Sequence, residues 1–309
     1  MIGYKSIGAG LVLAALAFGA VAGHAAQTLT GGWTIAPSPE PGKVEFMVNS
    51  GHNTSVGSWN VADFKGLDLA PAKHEVRFTI ERDAGTIEGD GVAAEGAAAG
   101  TFHFIPAPHY AEDLAGLGLG RIAEDDQFAY ARQDVSLNFA REMAGAGIGG
   151  LQAAKLLAFR IHGVDLALVK NLRAAGARAE DAEKLIAFAI HGVTPEFVAA
   201  FRAFGSIPDD EKLIALRIHG ATPDWTSRLA RLGYDHTPAD QLVAFRIHDV
   251  TPDFIESLAP LGYPHPAPDQ LVAMRIHGVT PEYIAGLKTH GMKDLSVDQL
   301  VALRIHGVD

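Results

Sequence analysis

None of the 309 residues is cysteine. Disulfide staples, thiolate nucleophiles, lipid attachment through cysteine and cysteine-based zinc sites are therefore excluded together. Positive charge is also scarce. Lys and Arg number 25 against 36 Asp and Glu, a formal net charge of −11, which leaves no general electrostatic attraction for nucleic acid. The common catalytic signatures are missing. His74-Glu75 is not followed by a histidine at zinc-protease spacing, and no GxSxG elbow, P-loop or GxGxxG turn occurs. Neither an enzymatic activity nor a cofactor is expected. Long apolar runs are absent except for Ile7–Ala22. That run falls short of the ~20 residues that span a bilayer. With Lys5 before it and the small residues of Gly23-His24-Ala25 after it, residues 1–25 read as a secretory signal peptide. The competing reading is an uncleaved N-terminal anchor. The expected location is periplasmic or secreted, with no membrane span after cleavage.

What the chain does contain falls into two patterns. Residues 26–108 carry short β-branched and aromatic runs: Trp33-Thr34-Ile35, Lys43–Asn49, Val56–Val61, Glu75–Ile80, Thr86–Val92 and Thr101–Ile105. In Val44–Val48 and Val76–Ile80 apolar residues fall mainly at every second place, as a half-buried antiparallel strand requires. Pro41-Gly42, Asp83-Ala84-Gly85 and Gly89-Asp90-Gly91 supply turn chemistry between runs. The expectation is a small antiparallel or barrel-like β domain. Residues 109–126 read as a linker or cap, because Gly116, Gly118 and Gly120 oppose a long helix.

The second pattern is a repeat. His162, His191, His219, His248, His277 and His306 follow one another at 29, 28, 29, 29 and 29 residues, within the period that marks solenoids. Residues 127–309 are expected to form an α-solenoid with a degenerate first unit and six further units, the last truncated. Each unit reads as two short helices. The first, as in Leu300–Ile305, is apolar on nearly all sides and is expected to be buried between neighbours. Glycine follows each marker histidine except at Asp249, and Thr-Pro-acid triplets at Thr194, Thr222, Thr251 and Thr280 start the second helix. These helices stop at Gly205, Gly233, Gly262 and Gly291. The single 28-residue step places a deletion in the loop holding Pro208.

The repeated polar residues each read in two ways. The histidines suggest a metal ladder. Shared zinc, however, needs imidazoles within about 4 Å, and stacked helices sit roughly 8–10 Å apart. A structural reading is favoured, with each ring ending a helix and bonding its last carbonyls. Arg160, Arg217, Arg246, Arg275 and Arg304 stand two residues before their histidines, with Ala189 as the exception. They suit a carboxylate or phosphate ligand, or, the favoured reading, ion pairs with the acids after Thr-Pro. Lys170, Arg173, Arg202, Arg228, Arg231 and Lys288 on the second helices form either a partner surface or the basic bias that helix C-termini favour anyway. The sequence does not separate the two. Leu303, in a last unit without a second helix, is a further candidate contact.

The phrase L-[IV]-A-[FLM]-R-I-H-G-V-T-P-[ED]-[FWY] resembles repeats in the C-terminal extensions of bacterial BlaR-type membrane zinc-peptidase sensors and in related secreted proteins. The likeness covers about residues 127–309, and Gly32-Trp33 with Phe78–Thr86 resembles the segment that precedes such repeats. The peptidase motif and multiple spans of the sensors are absent, so no catalytic residue carries over. The resemblance implies an extracytoplasmic sensing or interaction region. The expected fold is α+β, an antiparallel β domain followed by an α-solenoid. The expected function is a non-enzymatic scaffold binding a protein or envelope component. The alternative is an antirepressor-like ectodomain that binds a small ligand.

Overall fold

The structure, a computed structural model, describes residues 29–51 and 53–308. The signal-peptide expectation lies outside these residues. Six strands form one antiparallel sheet: β1 (Leu29–Pro37), β2 (Lys43–Ser50), β3 (Asn53–Asn60), β4 (His74–Arg82), β5 (Gly85–Ala94) and β6 (Ala97–Pro106), in the order β3-β2-β1-β6-β5-β4. Alternation decides the faces. Trp33 and Ile35 of β1, Val44, Phe46 and Val48 of β2, and Val76, Phe78 and Ile80 of β4 are all buried on one side.

In a flat sheet β2 and β4 would lie about 19 Å apart, four strand spacings of about 4.8 Å. Yet the Phe46 and Phe78 ring centroids are 5.9 Å apart, and each lies 5.1 Å from Phe64. The sheet is therefore rolled, with aromatic rings filling the roll. Close backbone approach helps. Gly91 faces Gly100 across β5 and β6, and a Cβ on Gly91 would stand 2.2 Å from the Ala99 carbonyl oxygen. That space is used by Trp33, whose indole N–H donates to the Thr101 carbonyl at 2.8 Å.

The segment expected as a linker or cap is packed against the first helical unit. Helix α1 (Tyr110–Gly116) buries Tyr110 and Leu114, and the Tyr110 hydroxyl donates to the Val135 carbonyl at 2.6 Å. Helix α2 (Gln127–Arg132) then seats Phe128 against Phe102 and Phe104, at 5.2 and 5.1 Å between centroids. Gln127, buried beside it, donates to the Ala84 and Ala107 carbonyls. Sheet and helices thus share one continuous apolar core.

With α3 (Leu137–Ala144), α2 forms the first two-helix unit. The others follow: α4 (Ala153–His162) and α5 (Leu166–Ala175), α6 (Ala182–His191) and α7 (Pro195–Ala200), α8 (Asp210–Ile218) and α9 (Pro223–Leu229), α10 (Ala239–Ile247) and α11 (Pro252–Leu258), α12 (Pro268–Ile276) and α13 (Pro281–Thr289), and α14 (Val297–Ile305). From α4 on, first helices pack on first helices and second on second, two parallel rows. The fold is the expected α+β arrangement of an antiparallel sheet followed by helical repeats. Caps fix the helix starts. The Thr194, Thr222, Thr251 and Thr280 hydroxyls accept from the N–H three residues on, and proline sits at the first helical position.

Loops between units are tied by side chains. The Tyr234 and Tyr263 hydroxyls donate to the Pro266 and Leu295 carbonyls at 2.8 and 2.6 Å. After the shortened loop, buried Asp210 instead accepts the Arg178 and Ala179 N–H groups, both at 3.1 Å. One expectation is corrected. The first helices are not buried all round: Leu156, Leu185, Leu213, Leu242, Leu271 and Leu300 are buried, whereas the isoleucine five residues after each faces solvent. The second-helix row covers one side of the first row only.

Candidate interaction surface

The arginines before the marker histidines all take ring faces, and among the described residues Arg160, Arg217, Arg246 and Arg275 make no ion pair with the acids after Thr-Pro. Each lies over the aromatic ring of the preceding unit's second helix: Arg160 over Phe139, Arg217 over Phe197, Arg246 over Trp225, Arg275 over Phe254 and Arg304 over Tyr283, at 4.7 to 5.4 Å from the centroid. Through Nε, four of them also reach back to the end of the preceding first helix. Arg217 donates to the His191 carbonyl, Arg246 to His219, Arg275 to His248 and Arg160 to Gln133. A guanidinium joins a ring face to an orphan helix-end carbonyl, which a carboxylate pair would not do. Two of the Thr-Pro acids serve their own helices, and Asp253 pairs with Arg228 of the preceding unit. Glu196 and Glu282 are held below the usual carboxylate range by their own backbone N–H and by the Thr194 or Thr280 hydroxyl.

This pairing accounts for Ala189. In the unit before it the aromatic position is Leu168, so the arginine is absent where its ring is absent. Asp134 and Asp249 stand where later units have glycine, in the left-handed conformation at φ +49° and +55°. Each offers its carboxylate to the arginine of the next unit, Arg160 and Arg275 respectively.

The basic residues of the second helices are mostly occupied within the chain. Arg173 donates to the Ala146, Gly147 and Ala179 carbonyls, Arg202 to Ala174 and Lys288 to Leu261. Arg228 pairs with Asp253 and Glu256, and Arg231 is exposed. Leu303 is half-buried, while its equivalents Phe159, Phe188, Leu216, Phe245 and Met274 are fully buried.

Of the marker histidines, His162, His191, His219, His277 and His306 are exposed and His248 is half-buried. Among the described residues none of their rings bonds a helix-end carbonyl; the backbone ends the helix, as in His219 N–H to the Ala215 carbonyl at 3.0 Å. Among the described residues no three His, Asp or Glu side chains come together as metal ligands.

Beside the histidines, residues expected in the core lie exposed. Ile161, Ile190, Ile218, Ile247, Ile276 and Ile305 are 53 to 57% exposed, one per unit, at one position of the first helix. One turn earlier on the same face are small residues, Ala158, Ala187, Ala215, Ala244, Ala273 and Ala302. Towards the helix starts runs a ladder of polar contacts between units: Lys155 with Glu183, Lys184 with Glu211, Lys212 with Asp240 and Gln241 with Asp269. The open side of the first-helix row is thus a shallow strip with isoleucines along one margin and tied charges along the other.

No protein-family model matches the sequence, and no curated protein matches it significantly. Among the described residues no single helix is long and apolar enough to cross a membrane.

Proposed function

We propose that the chain is an exported, non-enzymatic repeat protein of the bacterial cell envelope that scaffolds protein–protein contact through its first-helix row. The observation that carries this reading is the isoleucine series. An exposed isoleucine is ordinary on a protein surface, but six at one position of successive units make a continuous apolar line. Repeat stacks present such lines as extended binding surfaces. The N-terminal apolar run and the resemblance to extracytoplasmic repeats support export.

The spacing suits one occupant, an amphipathic helix of a protein partner. Stacked helices repeat every 8–10 Å or so, and seven residues of α-helix advance about 10.5 Å. An apolar residue once per heptad would meet each isoleucine in turn, the helix-in-groove mode of recognition. The test is Ile247→Glu combined with Ile276→Glu in the full-length protein. Because both side chains are more than half exposed, stability should change by less than about 0.5 kcal/mol per site. Retention of the wild-type protein's envelope partner should fall roughly tenfold or more. Equal retention by the double variant would overturn the reading.

A further inference from the structure

We propose that a cleft where the rolled sheet meets the first helical unit binds a small carboxylate monoanion bearing a flat ring. This goes beyond the scaffold reading and does not depend on the isoleucine row.

The cleft has a volume of about 330 Å³. Its floor is the inward face of the edge strand β3, where Ser55, Gly57 and Trp59 pair across from Val48, Phe46 and Val44. Elsewhere that face is apolar and covered by rings. Here it is left to polar walls: Arg82 at the end of β4, Arg132 to Asp134 after α2, and Arg160 of α4.

Of the three guanidiniums, two share two carboxylates. Arg82 lies 3.2 Å from Asp63 and 3.3 Å from Asp134, and Arg160 lies 3.3 Å from the same Asp134. Arg132 has no carboxylate within ion-pair distance among the described residues. It bonds the Ser55 hydroxyl and lies 5.7 Å from the centroid of the Phe128 ring. Arg132 is half-buried, and desolvation holds its guanidinium below the usual arginine range. The Nε of Arg82 is buried too, with Asp134 Oδ1 at 3.3 Å but no well-formed hydrogen bond. A half-buried cation without a counter-ion costs stability. With three positive and two negative groups lining the cleft, one negative charge completes the balance.

The fork of a guanidinium matches a carboxylate in geometry, and the monoanion matches the missing charge. Trp59, partly exposed in the cleft lining with its ring centroid 5.9 Å from the Arg82 guanidinium carbon, adds aromatic surface against which a ligand's ring can pack.

Titration calorimetry on the full-length protein with benzoate, acetate, benzamide and inorganic phosphate tests this. Benzoate should bind at one site per chain, more tightly than acetate or phosphate, and benzamide should not bind. Arg132→Met should weaken benzoate at least about tenfold while the unliganded melting temperature holds or rises. Arg132→Lys, which keeps the charge and loses the fork, should bind benzoate with intermediate affinity. The proposal is overturned by no benzoate binding, by benzamide binding equally well, by acetate or phosphate binding at least as tightly, or by benzoate affinity unchanged in Arg132→Met. A purely structural Arg132 would show the reverse pattern, a lower melting temperature and no effect on benzoate.

Discussion

An arginine over an aromatic ring contributes only if its partner is present, so the two residues should behave as one unit. In each pair the arginine stands 20 or 21 positions after its ring, in the next repeat. Read in sequence, the arginines and the aromatics are both visible, as is the exception at Ala189. Their coupling is not, because it crosses from one unit to the next and Leu168 does not look like a defect. A double-mutant cycle on Trp225→Ala and Arg246→Ala should give a coupling energy of about 0.5–2 kcal/mol in chemical denaturation. Introducing Ala189→Arg should help only alongside Leu168→Phe. Additive effects would show that the ring and the guanidinium act separately.

Tyr234 allows a second test at this scale. Burial pushes its hydroxyl up to about 12. The folded state keeps the proton that the unfolded chain releases near pH 10, so this contribution is full below pH 10 and is lost as pH rises towards 12. Tyr234→Phe should cost about 0.5–1.5 kcal/mol at neutral pH through the lost bond to Pro266. It should also make the alkaline decline shallower. Tyr130, likewise pushed up to about 12, titrates in the same window, so part of the decline should survive.

At the scale of the element, helix boundaries were legible because they rest on local chemistry. Thr251 accepts the Phe254 N–H at 3.1 Å, and Thr251→Ala should cost about 1 kcal/mol with no change in denaturant slope. Strands were legible through alternation. The roll of the sheet was not, since the contact between Phe46 and Phe78 joins residues far apart in the chain. Gly91→Ala probes that closeness. With an oxygen 2.2 Å from the new Cβ, the sheet has to move, and stability should fall by about 1–3 kcal/mol or more. The exposure of the isoleucines is not legible in the sequence for a general reason. An apolar residue at a helix flank looks the same whether a neighbour covers it or not, and only the second-helix row decides which flank is covered.

For the whole molecule, sheet and repeats form one continuous core, and beyond it each unit touches its neighbours through rows of like helices. Stability in such an array is close to a sum of unit and interface contributions, which leaves the outer strip free of folding constraints. Six isoleucines at one place on that strip are the centre of the functional account. Its most direct test is a photo-crosslinking amino acid placed singly at positions 161, 190, 218, 247, 276 and 305, with position 231 on the second-helix row for comparison. The account predicts adducts with one protein along consecutive isoleucine positions, mapping to partner residues about seven apart in a helix, and none from position 231. Adducts from position 231 alone, or partner contacts without helical spacing, would contradict it.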